Sequence, residues 1–310
     1  MRLAADHVRV TVPATAGNLG PGFDALGMAL GVVDDLEVRA VASASVAIEI
    51  EGEGADSLAR DESHLVVQAL RAALDHVGAS QTGLHIRAVN RIPHGRGLGS
   101  SAAAVVAGVV AARSLIAEPE ALPPSEVLRL ANAFEGHPDN AAPAIYGGAT
   151  VAWKDADGAH ARALTVSDEL ETAVLIPSSV LPTKQARAVL PAKVPHVDAA
   201  FNVGRAALLV HALAGSPEDL FTATFDTLHQ GYRADVLGPA TLMVKTLRDR
   251  GLAAVVSGAG PSVLVLGTGL AEVGLESGTP DWLQGIGGDS WRVVHTTKRV
   301  PGAQGVRLQS

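Results

Sequence analysis

The chain has 310 residues, of which 47% are hydrophobic and 18% charged, enough apolar surface for two packed cores and no composition of global disorder. Lys and Arg total 24 against 32 Asp and Glu, a net charge of −8, and aromatics are only 3%, so neither a basic footprint nor a stacking platform for nucleic acid is expected. The chain has no cysteine, which excludes disulfides, thiolate metal sites and a cysteine nucleophile.

Residues 7–12 (HVRVTV) alternate and predict a strand, which opens into the glycine- and proline-rich PATAGNLGPGFD. The N-terminal letters show no cationic patch followed by an apolar run, so no signal peptide is expected. A second extended region covers 36–50. Helical spacing predicts a helix over 63–76, and 84–90 (LHIRAVN) returns to a period of two. RIPHGRGLGSS forms a loop ahead of a strongly apolar helix at 102–117. Its most apolar run, 102–112, is too short to span a bilayer, and a cytoplasmic protein with no membrane partner is expected.

A further helix is predicted over 125–134 with Ser125 as its cap, and a strand at 147–153. The polar stretch 154–160 (KDADGAH) reads as a hinge, giving domains 1–155 and 156–310. Beyond it come a strand at 171–177, a long helix at 197–214 and a helix from 239 that stops at Gly251. A strand, glycine turn and strand follow over 252–267, and a last strand covers 291–298. The mixture in both halves predicts an α+β or α/β class.

The chemistry concentrates in PHGRGLGSSAA (93–103), between a strand and an apolar helix. Glycines at alternate positions let the backbone turn tightly, and Ser100 and Ser101 stand where free N–H groups and the positive helix end face the loop. These letters suit either a capped glycine-rich connector or a phosphate cradle. No Lys follows Gly99, so this is not a Walker A loop, and Ser100 stands where a dinucleotide fingerprint needs its third glycine.

The loop resembles the P-x-G-x-G-L-G-S-S-A motif of the GHMP kinase superfamily. PATAGNLGPGFDALGMAL (13–30) is similar to the first motif of that superfamily and SGAGPSVLVL (257–266) to its third. FEGHPDNAAPAIYGG (134–148), PTKQARAVLP (182–191) and LHQGYR (228–233) resemble segments typical of its homoserine kinases. The resemblance implies an α+β, two-domain GHMP kinase fold: an N-terminal domain like ribosomal protein S5 domain 2 and a ferredoxin-like C-terminal domain. It implies phosphorylation of L-homoserine by ATP with Mg²⁺, and a homodimer in many members. The alternatives are another GHMP kinase of mevalonate type and a non-catalytic nucleotide-binding relative.

Carried onto this sequence, the family's pattern lays ATP phosphates over Pro93, His94, Gly95, Arg96, Gly97, Leu98, Gly99, Ser100 and Ser101, with Mg²⁺ between Ser101 and Glu135. It implies that Asn18, Asp24, His137, Thr183, Arg187, Arg233, Gly258 and Gly260 form the homoserine site, with the two arginines on the α-carboxylate. Asp139 and Asn140 carry the mechanism. Relatives that use an Asp base have it where this chain has Asn140, and a neutral amide cannot accept a proton as a carboxylate does. One departure is His64-Leu65-Val66, where the family often has Asn-Leu-Val against the adenine.

Overall fold

The computed structural model describes residues 1–297 and 299–309; Lys298, in the strand expected at 291–298, lies outside the described residues. Strand β1 (His7–Gly17) runs well past the alternating letters, because Ala14 and Ala16 keep the period and are as buried as Val8, Val10 and Val12. It pairs antiparallel with β2 (Leu26–Val41), and the register shifts between Pro13 and Ala14, where proline has no N–H to give the ladder. The extended region expected at 36–50 is two strands. The serine-rich stretch 42–45 separates β2 from β3 (Val46–Gly52), which lies parallel to β4 (Gly83–Asn90).

Helix α1 (Leu65–His76) makes the crossover between β3 and β4 and buries Val66, Val67, Leu70, Ala73 and Leu74. Helix α2 (Ser100–Leu115) is buried on nearly every side, as its predominantly apolar letters require, and it packs on α1, β1 and α3 (Pro124–Glu135). The cap expected at Ser125 falls inside α3, whose boundary residue is Pro123 with Pro124 at the first helical position. Proline's fixed φ suits that first turn and sets the start.

Helix α4 (Ala141–Tyr146) leads into β5 (Ala149–Asp155), which pairs with β2, and β6 (Gly158–Ala163) folds back on β5. The stretch 154–160 is therefore a hairpin turn inside the first sheet and not a hinge; its Asp157-Gly158 pair is ordinary turn chemistry. The chain leaves this sheet only after Ala163, and β7 (Glu171–Pro177) begins a second one.

Helices α5 (Thr183–Ala188), α6 (His196–Gly215), α7 (Leu220–Ala223), α8 (Ala234–Leu237) and α9 (Pro239–Asp249) precede strands β8 (Ala253–Val256) and β9 (Val263–Gly267). With β10 (Trp291–Thr296) they form the antiparallel order β10-β7-β9-β8, whose inner face buries Leu175, Val256, Val265 and Trp291 beside Met243 and Leu247 of α9. The short β11 (Gln304–Arg307) then returns to pair with β1. By length and composition, α6 is apolar enough to cross a membrane. Here it braces a loop: buried Asn202 donates to the carbonyl of Pro21 at 2.6 Å.

Candidate active site

Three glycine-bearing segments meet where the two sheets adjoin. The loop 93–99 enters α2 through Gly99, in the left-handed region at φ 66°. A Cβ on Gly97 would lie 2.2 Å from the carbonyl oxygen of Ser257, and one on Gly99 would lie 2.0 Å from Thr15 Oγ1. Only glycine allows this approach. Ser257 Oγ donates to the Gly97 carbonyl at 2.7 Å, and Asn18 Nδ2 donates to the Gly258 carbonyl at 2.8 Å. Among the described residues no side chain caps α2, and its first turn holds no acidic residue, so its positive end is open.

That end faces a cavity of about 270 Å³. Gly95, Gly97, Leu98, Gly99, Ser100 and Ser101 line it from the loop, and Glu135, His137, Asp139 and Asn140 from the turn after α3. Thr183, Arg187, Arg233, Gly258 and Asn18 complete it from distant parts of the chain. Five of the residues marked in the sequence lie elsewhere. Pro93 and Arg96 line a wider neighbouring groove, and His94 lines a second cavity. Gly260 backs the loop, its amide 2.7 Å from where a Gly97 Cβ would sit, and Asp24 reaches the site through Arg187.

The Arg187 guanidinium holds Asp24 by two bonds, at 2.6 and 3.2 Å. Burial alone would raise the Asp24 carboxyl, but the hydrogen bonds and charge of Arg187 more than offset it and hold it below the usual range. Asp24 sits at φ 55°, and Asn18, at φ 69°, accepts from its amide at 3.0 Å. Asn18 is thus a strut joining Asp24 to the 258 turn. Positive φ at such residues marks a loop held in shape by its surroundings.

Arg233 is 1% exposed. It has no carboxylate within ion-pair distance among the described residues; its Nε donates to the Ala186 carbonyl at 3.0 Å and its η1 nitrogen to His229 Nδ1 at 3.0 Å. Buried His229, its imidazole kept neutral by desolvation, donates through Nε2 to the Gly20 carbonyl at 2.8 Å. Phe23 lies 5.6 Å from the Arg233 guanidinium and 5.8 Å from that of Arg187. The result is a buried cation lining a cavity with no anion against it.

Across the cavity Asp139, 1% exposed, accepts from His137 Nδ1 at 2.8 Å, and this bond raises the imidazole's affinity for a proton. Thr15 Oγ1 donates to Asn140 Oδ1 at 3.0 Å and Asn140 Nδ2 donates to Asp139 Oδ1 at 3.4 Å, which fixes the amide's orientation and leaves one N–H and one carbonyl lone pair for a ligand. Ser101 Oγ donates to Glu135 Oε1 at 2.5 Å. Thr15, Phe23 and His229 escaped the sequence reading of roles, although each stands inside a motif singled out there.

The second cavity, about 320 Å³ and mostly apolar, adjoins the first through Ser100 and Ser101. A strap over residues 178–181 covers the loop from the other side: the Leu181 amide donates to the Gly95 carbonyl at 2.8 Å, and Arg96 Nε to the Pro177 carbonyl at 2.9 Å. Asp289 anchors the strap, accepting from the Ser178 hydroxyl, from the Ser178 amide at 2.9 Å and from the Ser179 amide at 3.2 Å. Burial would raise its carboxyl, yet these donors pull it down to about 2. Asp289→Asn should destabilise the protein by about 1–3 kcal/mol at pH 7. The folded value is depressed, so the wild type's advantage holds above the ordinary carboxyl pKa and fades as pH falls toward 2. Urea titrations at pH 7 and pH 3 would show a smaller gap at the lower pH.

Residues 64–148 match the GHMP kinases N terminal domain. The chain is 50% identical to a homoserine kinase of Streptomyces coelicolor over 93% of this chain and 90% of that one. It is 48% identical to a homoserine kinase of Cutibacterium acnes, over 85% and 90% respectively. The crystal structure of a homoserine kinase from Cytophaga hutchinsonii superposes with a TM-score of 0.82 at 26% identity, covering 98% of both chains. A mevalonate kinase structure, at 15% identity and a TM-score of 0.66, shares the fold over 94% of this chain and 99% of its own. Motifs, two-sheet α+β architecture and close relatives agree, and the chain belongs to the homoserine kinase family of the GHMP kinases.

Proposed function

We propose that this chain transfers the γ-phosphoryl group of ATP, with Mg²⁺, to the side-chain hydroxyl of L-homoserine, giving O-phospho-L-homoserine in the cytoplasm on the way to threonine. One observation carries this reading: a single cavity sets the open N-terminus of α2 beside two guanidiniums, Arg187 and Arg233. A phosphate chain suits the first and an α-carboxylate the second.

The amino acid would enter by exchange. Arg187 and Asp24 now pair with each other through the two terminal guanidinium nitrogens, while Arg187 Nε is buried without a partner. A zwitterion placed between them gives its carboxylate to Arg187 and Arg233 and its ammonium to Asp24, so the ion pair is replaced rather than left unpaired. His137 and Thr183 border the same space. The substrate hydroxyl then meets Asn140, which can donate through its NH₂ but cannot take a proton. Asp139 is buried and held by His137, an orienting contact. Catalysis accordingly rests on in-line placement, worth roughly 7–11 kcal/mol of barrier, and on charge neutralisation suited to a loose phosphoryl transition state.

Ser101 and Glu135 fit Mg²⁺ by their chemistry, two hard oxygens converging at the mouth of the loop. No cluster of three or more metal-ligating side chains occurs among the described residues, so the phosphates would complete the shell, as Mg²⁺ prefers. Bound there, the ion would neutralise charge on the transferred group.

A coupled ADP-release assay against homoserine, mevalonate, shikimate and galactose tests the reading. Homoserine should be preferred by at least about a hundredfold, because a site built to pair both ends of an amino acid leaves polar groups unmatched by the others. Comparable rates with mevalonate would favour the mevalonate-type alternative, which Asn140 argues against. Silence with all four would favour a non-catalytic relative, although Ser101 and Glu135 are both present.

A further inference from the structure

We infer that Thr15 is a positioning residue for the transfer, its hydroxyl aiming the Asn140 amide at the substrate hydroxyl while its backbone holds the phosphate loop. The inference rests on the kinase reading above. Thr15 lies in β1, is 0% exposed and does not line the cavity that Asn140 lines, so it acts through its neighbours. Its amide donates to the Leu98 carbonyl at 3.0 Å, which fixes the end of the loop before α2. Its Oγ1 donates to Asn140 Oδ1 at 3.0 Å. A Cβ on Gly99 would meet both oxygens, at 2.0 and 3.2 Å, so the pair sits directly against the residue from which α2 begins.

Asn140 shows what that hydroxyl is for. It is the boundary residue of α4, where an asparagine ordinarily turns its carbonyl oxygen onto the first amides of its own helix. Among the described residues no such bond forms. Thr15 holds the carbonyl oxygen instead, and Asp139 takes an amide hydrogen at 3.4 Å on the other side. Strand β1 presses on the same group at Gly17, where a Cβ would lie 2.7 Å from Asn140 Nδ2. The amide plane is therefore set by β1, and β1 also carries the loop through Leu98. In-line transfer depends on where the acceptor lies relative to the donor, and an error of about 1 Å can cost on the order of a hundredfold in rate. Thr15 joins the two sides through one residue.

The test is steady-state kinetics with ATP and homoserine each varied. Thr15→Val keeps the β-branched shape that suits the strand and removes the hydroxyl. It should lower kcat by about 10–100-fold, with the KM for ATP and for homoserine within about threefold and the thermal midpoint within about 5 °C. The new methyl must fit against Gly99, so Thr15→Ala is a second hydroxyl-free variant and should lose kcat to a similar degree. Thr15→Ser restores the donor and should keep kcat within about threefold of the wild type. In an Asn140→Ala background, Thr15→Val should cost less than about twofold more. A Ser variant as slow as the Val variant, an unaltered kcat in both hydroxyl-free variants, a KM rise that accounts for the loss, or the same loss with and without Asn140 overturns the inference and leaves the kinase reading standing. A wild type that releases no ADP with homoserine overturns both.

Discussion

Arg233→Met should raise the KM for homoserine by roughly 10–150-fold, the worth of a charge-assisted hydrogen bond, while the KM for ATP stays within about twofold. The physical reason is the state of that guanidinium. It is buried and, among the described residues, hydrogen-bonds to Ala186 and His229 and lines the cavity with no carboxylate within ion-pair distance. Desolvation, then repulsion from Arg187, makes its charged form harder to keep than usual. On the proposed reading an incoming carboxylate would relieve that cost, and part of the substrate's affinity would then be stored in the unliganded protein.

Stability should respond differently. Removing a buried unpaired charge is favourable, losing its two hydrogen bonds is not, and the thermal midpoint should stay within about 5 °C. Arg233→Lys should fall between the two in homoserine KM, since an ammonium keeps the charge but not the planar fork. Equal losses for ATP and homoserine would reject the assignment, and so would a Met variant that unfolds before it loses substrate.

Where the sequence was most explicit, local backbone chemistry leaves few choices. The loop 93–99 needs glycine because the Ser257 carbonyl and the Thr15 hydroxyl leave no room for a Cβ, and the letters show those glycines directly. The start of α2 follows from its serines and its apolar run. Helix and strand periods placed α1, β4, β7 and β9 for the same reason. The stretch 154–160 misled because a hinge and a hairpin turn use the same polar residues. Short alternation on both sides, with Ala152, Ala159 and Ala161 buried, was the signal that separates them. At α3 two prolines set the boundary and overrode the capping serine.

The electrostatics of the site were less legible, because they depend on segments far apart in the chain. A lone arginine reads as a surface residue. Arg233 becomes a buried, unneutralised cation only because the chain brings Ala186 and Phe23 against it and ties His229 to Gly20. The self-pairing of Asp24 with Arg187 spans 163 positions and has no local signature. His64 shows the limit from the other side. Its letter departs from the family's pattern, but its tautomer follows from the cap it makes on α1, a contact that no spacing in the sequence announces.

Glu135→Ala should lower kcat by about a hundredfold or more and move the Mg²⁺ midpoint, at fixed ATP, upward by about 10–100-fold. The carboxylate lines the cavity at the end of α3 and takes the Ser101 hydroxyl at 2.5 Å, a contact between two oxygens that gains little for the fold at an exposed position. Two hard oxygens are a sparse site, so losing the only charged one should be felt in full. Glu135→Gln sharpens the test, for it preserves shape and can still accept from Ser101 while removing the charge. A Gln variant with a wild-type thermal midpoint and a displaced Mg²⁺ midpoint would assign the charge to the metal. Ser101→Ala should be milder alone, and if both residues serve one ion the double variant should lose less than the sum of the two. Unaltered Mg²⁺ dependence in either Glu135 variant removes it from the ligand set and leaves the phosphates to hold the metal without it.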